Sequence, residues 1–162
     1  MSKIKVGILF GGKSAEHEVS IQSAGSVIEN IDKEKYEIFP IGIDKEGSWH
    51  ALNGTLEIPF IDKNSFFSLE LIEALDVIFP VLHGPFGEDG TVQGLMRLAN
   101  IPFVGPDVLS SALCMDKAMM KQVLKGTEIL TAAFHLVHQN EAIDLEEIVE
   151  KLGLPLFVKP AN

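Results

Sequence analysis

The sequence predicts an α/β fold with a parallel sheet covered on both faces. Two observations carry this. Residues 4–10 and 76–82 are short runs that are apolar at nearly every position, not at alternate ones, as strands buried on both faces require. Between such runs stand segments whose apolar residues recur at helical spacing, and strands alternating with helices build a parallel sheet.

The elements follow in order. Residues 4–10 form a buried strand that ends at Gly11-Gly12. A helix over 14–30 presents Val19, Ile21, Ala24, Val27 and Ile28, with Ser14 as its candidate N-cap. A second strand covers 36–43, and Asp44-Lys45-Glu46-Gly47 is a hairpin turn into Ser48-Trp49-His50. Residues 69–75 suit a short helix, 76–82 an apolar strand, 91–99 a helix and 102–104 a short strand. Gly105-Pro106-Asp107 is the strongest boundary signal, dividing the chain into 1–107 and 108–162. Beyond it the expected order is a helix over 110–124, a strand over 133–137, an acidic amphipathic helix over 141–152 and a final strand over 154–160.

Of 162 residues, 46% are hydrophobic and 22% charged, enough to bury a core. Lys and Arg number 13 against 23 Asp and Glu, a net charge of −10. Nucleic acid and anionic membrane both require a basic face and are excluded as general partners. The single Cys114 leaves no disulfide framework or cysteine-rich metal site, and its place on a helix points to the core. With no secretory pattern and no run of about 18 apolar residues, the expected compartment is the cytoplasm.

Gly7-Ile8-Leu9-Phe10-Gly11-Gly12-Lys13-Ser14 satisfies the P-loop expression letter for letter. Its first glycine and the three apolar residues after it belong to a strand, however, so too few loop amides remain to cradle a phosphate. What is left is a strand, a Gly-Gly turn and a helix start carrying Ser14, Glu16, His17, Glu18 and Ser20. Acidic residues there either complement the helix dipole or hold a cationic ligand group at the carboxyl end of a strand. The second constellation, His83 to Gly94, is a glycine-rich loop after another buried strand. It is either a turn in which Asp89 or Thr91 caps the next helix, or a site in which His83 is oriented by nearby Glu88. His135 and His138, three apart on an expected strand, face opposite sides and receive no role.

Gly11-Gly12-x-Ser14-x-Glu16-x-x-Val19-Ser20 and His83-Gly84-x-x-Gly87-Glu88-Asp89-Gly90 together resemble the D-alanine–D-alanine ligases. Ser111-Ala112-Leu113-x-Met115-Asp116-Lys117 and Leu154-Pro155-x-x-Val158-Lys159-Pro160 are similar to the same family in the same order, so the resemblance covers the whole chain. It implies a Rossmann-like, pre-ATP-grasp substrate-binding domain over 1–107 and the start of an ATP-grasp domain over 108–162. The implied reaction is ATP-dependent: the carboxylate of one D-alanine is phosphorylated and the amine of a second attacks the acyl phosphate. The dipeptide then serves peptidoglycan synthesis.

By motif position Glu16 would hold the ammonium of the first D-alanine, Val19 would line its methyl pocket, and His83 would lie beside the reacting carboxylate. Glu88 would be a supporting partner, and Lys117 and Lys159 would reach ATP. The family takes its Mg²⁺ ligands, an arginine and a closing loop from a later region. These 162 residues are therefore expected not to ligate D-alanine unaided. A homodimer is implied as well. A D-alanine–D-lactate ligase, and a non-catalytic binding or dimerisation module, stand as alternatives.

Overall fold

In the computed structural model, which describes residues 2–52 and 74–162, the centre of the fold is strand β1 (Ile4–Gly11). It pairs in parallel with β2 (Tyr36–Ile43) on one side and with β4 (Val77–Pro80) on the other. Strand β3 (Trp49–Ala51) adds to β2 in antiparallel fashion, giving the order β3-β2-β1-β4. The hairpin arises where expected. Asp44 closes it by accepting the Glu46 and Ser48 amides at 3.0 and 2.8 Å.

Side chains alternate across a strand, so an all-apolar strand feeds two cores. Leu9 joins Ile41, Ile78, Val92 and Met96 on one face of the sheet. Val6, Ile8 and Phe10 join Ala24, Leu52 and Val81 on the other. Ile8, Leu9 and Phe10 are completely buried, each contributing about 1.5–3 kcal/mol of transfer free energy. The same burial disposes of the P-loop, because Gly7 to Gly11 are ladder residues paired with β2, and Gly7 to Leu9 are paired with β4 as well.

Helix α1 (His17–Asn30) begins later than expected. Ser14 is not its cap: Glu16 holds that position without a side-chain capping bond, while the Ser14 hydroxyl accepts the Glu16 amide at 3.0 Å in a local turn. Helix α2 (Thr91–Leu98) follows the second glycine-rich loop. The short strand expected over 102–104 reduces to a single parallel bridge between Phe103 and Ile78. The helix expected over 69–75 lies outside the described residues except for Ala74 and Leu75.

The chain divides into two compact units, Met1–Ala112 and Leu113–Asn162. Helix α3 (Val108–Met115) spans the division; α4 (Lys117–Leu124) and α5 (Leu145–Leu152) belong to the second unit. The single helix expected over 110–124 is broken at Asp116. This residue leaves helical geometry and its carboxylate caps α4 through the Ala118 and Met119 amides. The acidic helix likewise starts at Leu145, capped by Asp144, not at Glu141. Among the described residues, 133–137 and 154–160 join no ladder: an apolar run becomes a strand only with a neighbour to take its backbone groups. Phe157 and Val158 stand 85% and 96% exposed. Cys114 is exposed as well, contrary to its expected place in the core.

Candidate functional site

The chain leaves β1 toward β2 on one side and β4 lies on the other, so the carboxyl ends of β1 and β4 flank the reversal point of the sheet. Open α/β sheets bind ligands at such points. The Ser20 hydroxyl is fully buried there; it accepts the Gly11 amide at 2.8 Å and donates to the Val81 carbonyl. His17 is also buried, its Nδ1 2.7 Å from the Gly12 carbonyl oxygen. Both residues fasten the start of α1 to the turn that precedes it.

The loop after β4 is built by its own acids. Glu88 Oε2 accepts the Gly84 amide at 2.7 Å. Asp89 accepts the Phe86 and Thr91 amides at 2.8 and 2.9 Å, but the helix cap expected of Asp89 or Thr91 falls to Gly90, whose left-handed backbone carries no side-chain capping bond. Burial pushes the Asp89 carboxyl up, but the hydrogen bonds from Phe86 and Thr91 outweigh it and hold the group below its usual range. Gln93 is buried and donates to the Gly87 carbonyl at 2.9 Å. Phe86 adopts φ 67°, a left-handed conformation rare for an aromatic residue, and is 54% exposed.

The structure brings Glu16 to the His83 loop. A Cβ on Gly84 would lie 2.5 Å from Glu16 Oε2 and 2.8 Å from Ser14 Oγ, so only glycine leaves room for the carboxylate; its φ of 70° also favours glycine. Val19 is half exposed one helical turn further along α1. His83 finds its partner in Ser23, whose Oγ lies 3.1 Å from Nε2. Ser23 was not among the residues singled out from sequence, and a serine inside a helix carries no motif that would have flagged it. Glu88, the orienting residue expected from sequence, has its contact with the Gly84 backbone instead.

A cavity of ≈ 310 Å³ opens beside this loop, lined by the 11–14 turn, Ile43, Trp49, Leu82, His83 and the apolar face of α2. Glu16, Val19 and Glu88 stand outside its lining. In the second unit the Lys117 amide donates to the Ala161 carbonyl at 2.7 Å, which sets residues 159–162 against the start of α4. Lys117 and Lys159 are both exposed.

Comparison with known proteins decides the family. The profile described as D-ala D-ala ligase N-terminus matches residues 5–106, well over half of the chain. The chain belongs to this family. The D-alanine–D-alanine ligase of Oceanobacillus iheyensis is 45% identical over 186 residues, covering 99% of this chain and 51% of that protein. Among solved structures, the D-alanine–D-alanine ligase of Coxiella burnetii superposes with a TM-score of 0.76 at 31% identity, over 93% of this chain and 50% of its own. The Bacillus anthracis D-alanine–D-alanine ligase complexed with ATP gives 0.70 at 36% identity, over 98% and 47%.

The chain spans about half the length of the curated relatives it matches. The α/β fold with a mostly parallel sheet is thus the fold of the D-alanine–D-alanine ligases. Glu16, Val19, His83 and Glu88 fall within the residues matched to the D-ala D-ala ligase N-terminus, whereas Lys117 and Lys159 lie after them. No helix among the described residues is long and apolar enough to cross a membrane.

Proposed function

We propose that this chain supplies the first-substrate half of an ATP-dependent D-alanine–D-alanine ligase. The observation that carries the proposal is the approach of the Glu16 carboxylate to the backbone of the His83 loop at the carboxyl ends of β1 and β4. An amino acid has a cation and an anion two bonds apart on one carbon. A site for it needs one acid and one donor close together, and we read Glu16, whose carboxylate approaches the Gly84 backbone beside His83, as the acid and His83 as the donor. Glu16 takes the ammonium of the first D-alanine, and Val19 forms the wall against its methyl group. His83 donates toward the carboxylate, where charge changes as an oxygen is phosphorylated. The amine of the second D-alanine then attacks the acyl carbon, and phosphate leaves.

In this reading residues 1–107 are the substrate-binding domain and 108–162 begin the nucleotide-binding ATP-grasp domain. Lys117 and Lys159, on backbone joined by the Lys117–Ala161 hydrogen bond, supply point charges for the ATP phosphates. Mg²⁺ is not assigned to any of the described residues, among which no three His, Cys, Asp or Glu side chains gather to hold a metal. The product serves bacterial cell-wall synthesis in the cytoplasm, and the working form is a homodimer.

The test assays the purified chain alone and joined to the C-terminal half of the Oceanobacillus relative. D-alanine-dependent release of ADP with formation of D-alanyl-D-alanine is expected from the joined protein and is abolished by Glu16→Gln. A joined protein that folds and binds ATP but ignores D-alanine would sink the proposal.

A further inference from the structure

We infer that Ser23 is the positioning residue for His83: its hydroxyl holds ring Nε2 and leaves Nδ1 as the nitrogen presented to the carboxylate of the first D-alanine. The identity of that ligand rests on the proposed function; the positioning itself rests on geometry alone.

His83 stands where a strand ends, and its neighbour Gly84 adopts φ 70°, a turn that does not itself restrain the ring. Two rotatable bonds leave an imidazole free to swing unless one ring nitrogen is held. Ser23 Oγ, 3.1 Å from Nε2, supplies that hold from sixty residues earlier in the chain. The serine is itself well anchored. Ser20, one turn back on α1, is bonded to the backbone of both Gly11 and Val81, so α1 is fixed relative to the very strand end that carries His83.

Glu16, Val19 and Ser23 are spaced i, i+3 and i+7, which places them along one face of α1. That face therefore carries the acid for the ammonium, the apolar wall and the hydroxyl that sets the histidine. A serine suits the task chemically. A hydroxyl can donate to a bare Nε2 or accept from a protonated one, so it keeps the ring in place through a change of tautomer. It also adds no negative charge beside a ring that must attract a carboxylate. The acid nearest in the chain, Glu88, is occupied with the Gly84 amide.

The test follows the ring nitrogens of His83 by ¹⁵N-resolved NMR in the whole chain, with His83→Gln identifying its signals among the five histidines. Ser23→Ala is compatible with a helix interior, where alanine is the strongest helix former, and unchanged His17 and His50 signals confirm that the chain is folded. In Ser23→Ala the His83 ring-nitrogen signals are expected to move as Nε2 loses its hydrogen-bond partner, and D-alanine affinity to fall about three- to tenfold. Ser23→Thr, which keeps the hydroxyl, restores both. His83 signals unmoved by Ser23→Ala, or altered equally by the threonine variant, would overturn the inference. If the ring signals respond to Ser23→Ala but D-alanine leaves the parent spectrum untouched, the positioning stands and the ligand reading falls.

Discussion

Glu88 Oε2 accepts the Gly84 amide at 2.7 Å, so the acid closest to His83 in the chain serves the loop backbone and not the ring. Removing it with Glu88→Ala is expected to cost about 1 kcal/mol of stability through the lost charge-assisted bond. Glu88→Gln keeps a carbonyl acceptor and recovers most of that loss. Urea denaturation of the three proteins checks the order. A glutamine variant as unstable as the alanine variant would contradict the backbone-capping role.

Gly84→Ala tests the packing of the site itself. Its Cβ would meet Glu16 Oε2 at 2.5 Å, and alanine at φ 70° costs about 1–2 kcal/mol. Melting temperature and D-alanine affinity should fall together, because the same methyl group displaces the acid. Full affinity in the variant would mean that Glu16 does not hold the ammonium.

Ser20→Ala should destabilise the chain by about 2–4 kcal/mol despite removing only one oxygen. It leaves the Gly11 amide and the Val81 carbonyl without their buried partner. Chemical denaturation measures this, and a loss below about 0.5 kcal/mol would show that the two groups find other partners.

Acid sensitivity has a named source in the β2–β3 hairpin. Burial pushes the Asp44 carboxyl up, but hydrogen bonds from the His50 ring and the Ser48 and Gly47 amides outweigh it and hold the group below its usual range. Its folded pKa lies below the unfolded one. The stability it contributes is therefore complete above about pH 4 and is lost as pH falls through the lower folded value. Asp44→Asn should lose less stability than the parent chain between about pH 5 and 3. Parallel acid-unfolding curves would contradict the assignment.

What the sequence made legible follows the range of the forces involved. β1 and α1 were readable because burial on a repeating period writes itself into adjacent residues, as in Ile8-Leu9-Phe10. The same signal misled over 133–137 and 154–160, because apolar content does not reveal whether a partner strand exists. Asp116 broke an expected helix: its carboxylate competes for backbone amides, a preference that apolar periodicity does not weigh. Glu16 and His83 were found as motif residues. The Ser23–His83 contact was hidden because it joins residues sixty apart and depends on where α1 crosses the strand ends.

The Ser20 bridge bears on the shape of the site. The ladder between β1 and β4 stops at the Leu9–Pro80 pair, and beyond it the Gly11 amide and the Val81 carbonyl face each other across a gap. One hydroxyl spans that gap, bonded at both ends. The ends of β1 and β4 are thus joined through a single hydroxymethyl group in place of a direct backbone pair. That spacing between the two strand ends is therefore set when the domain folds.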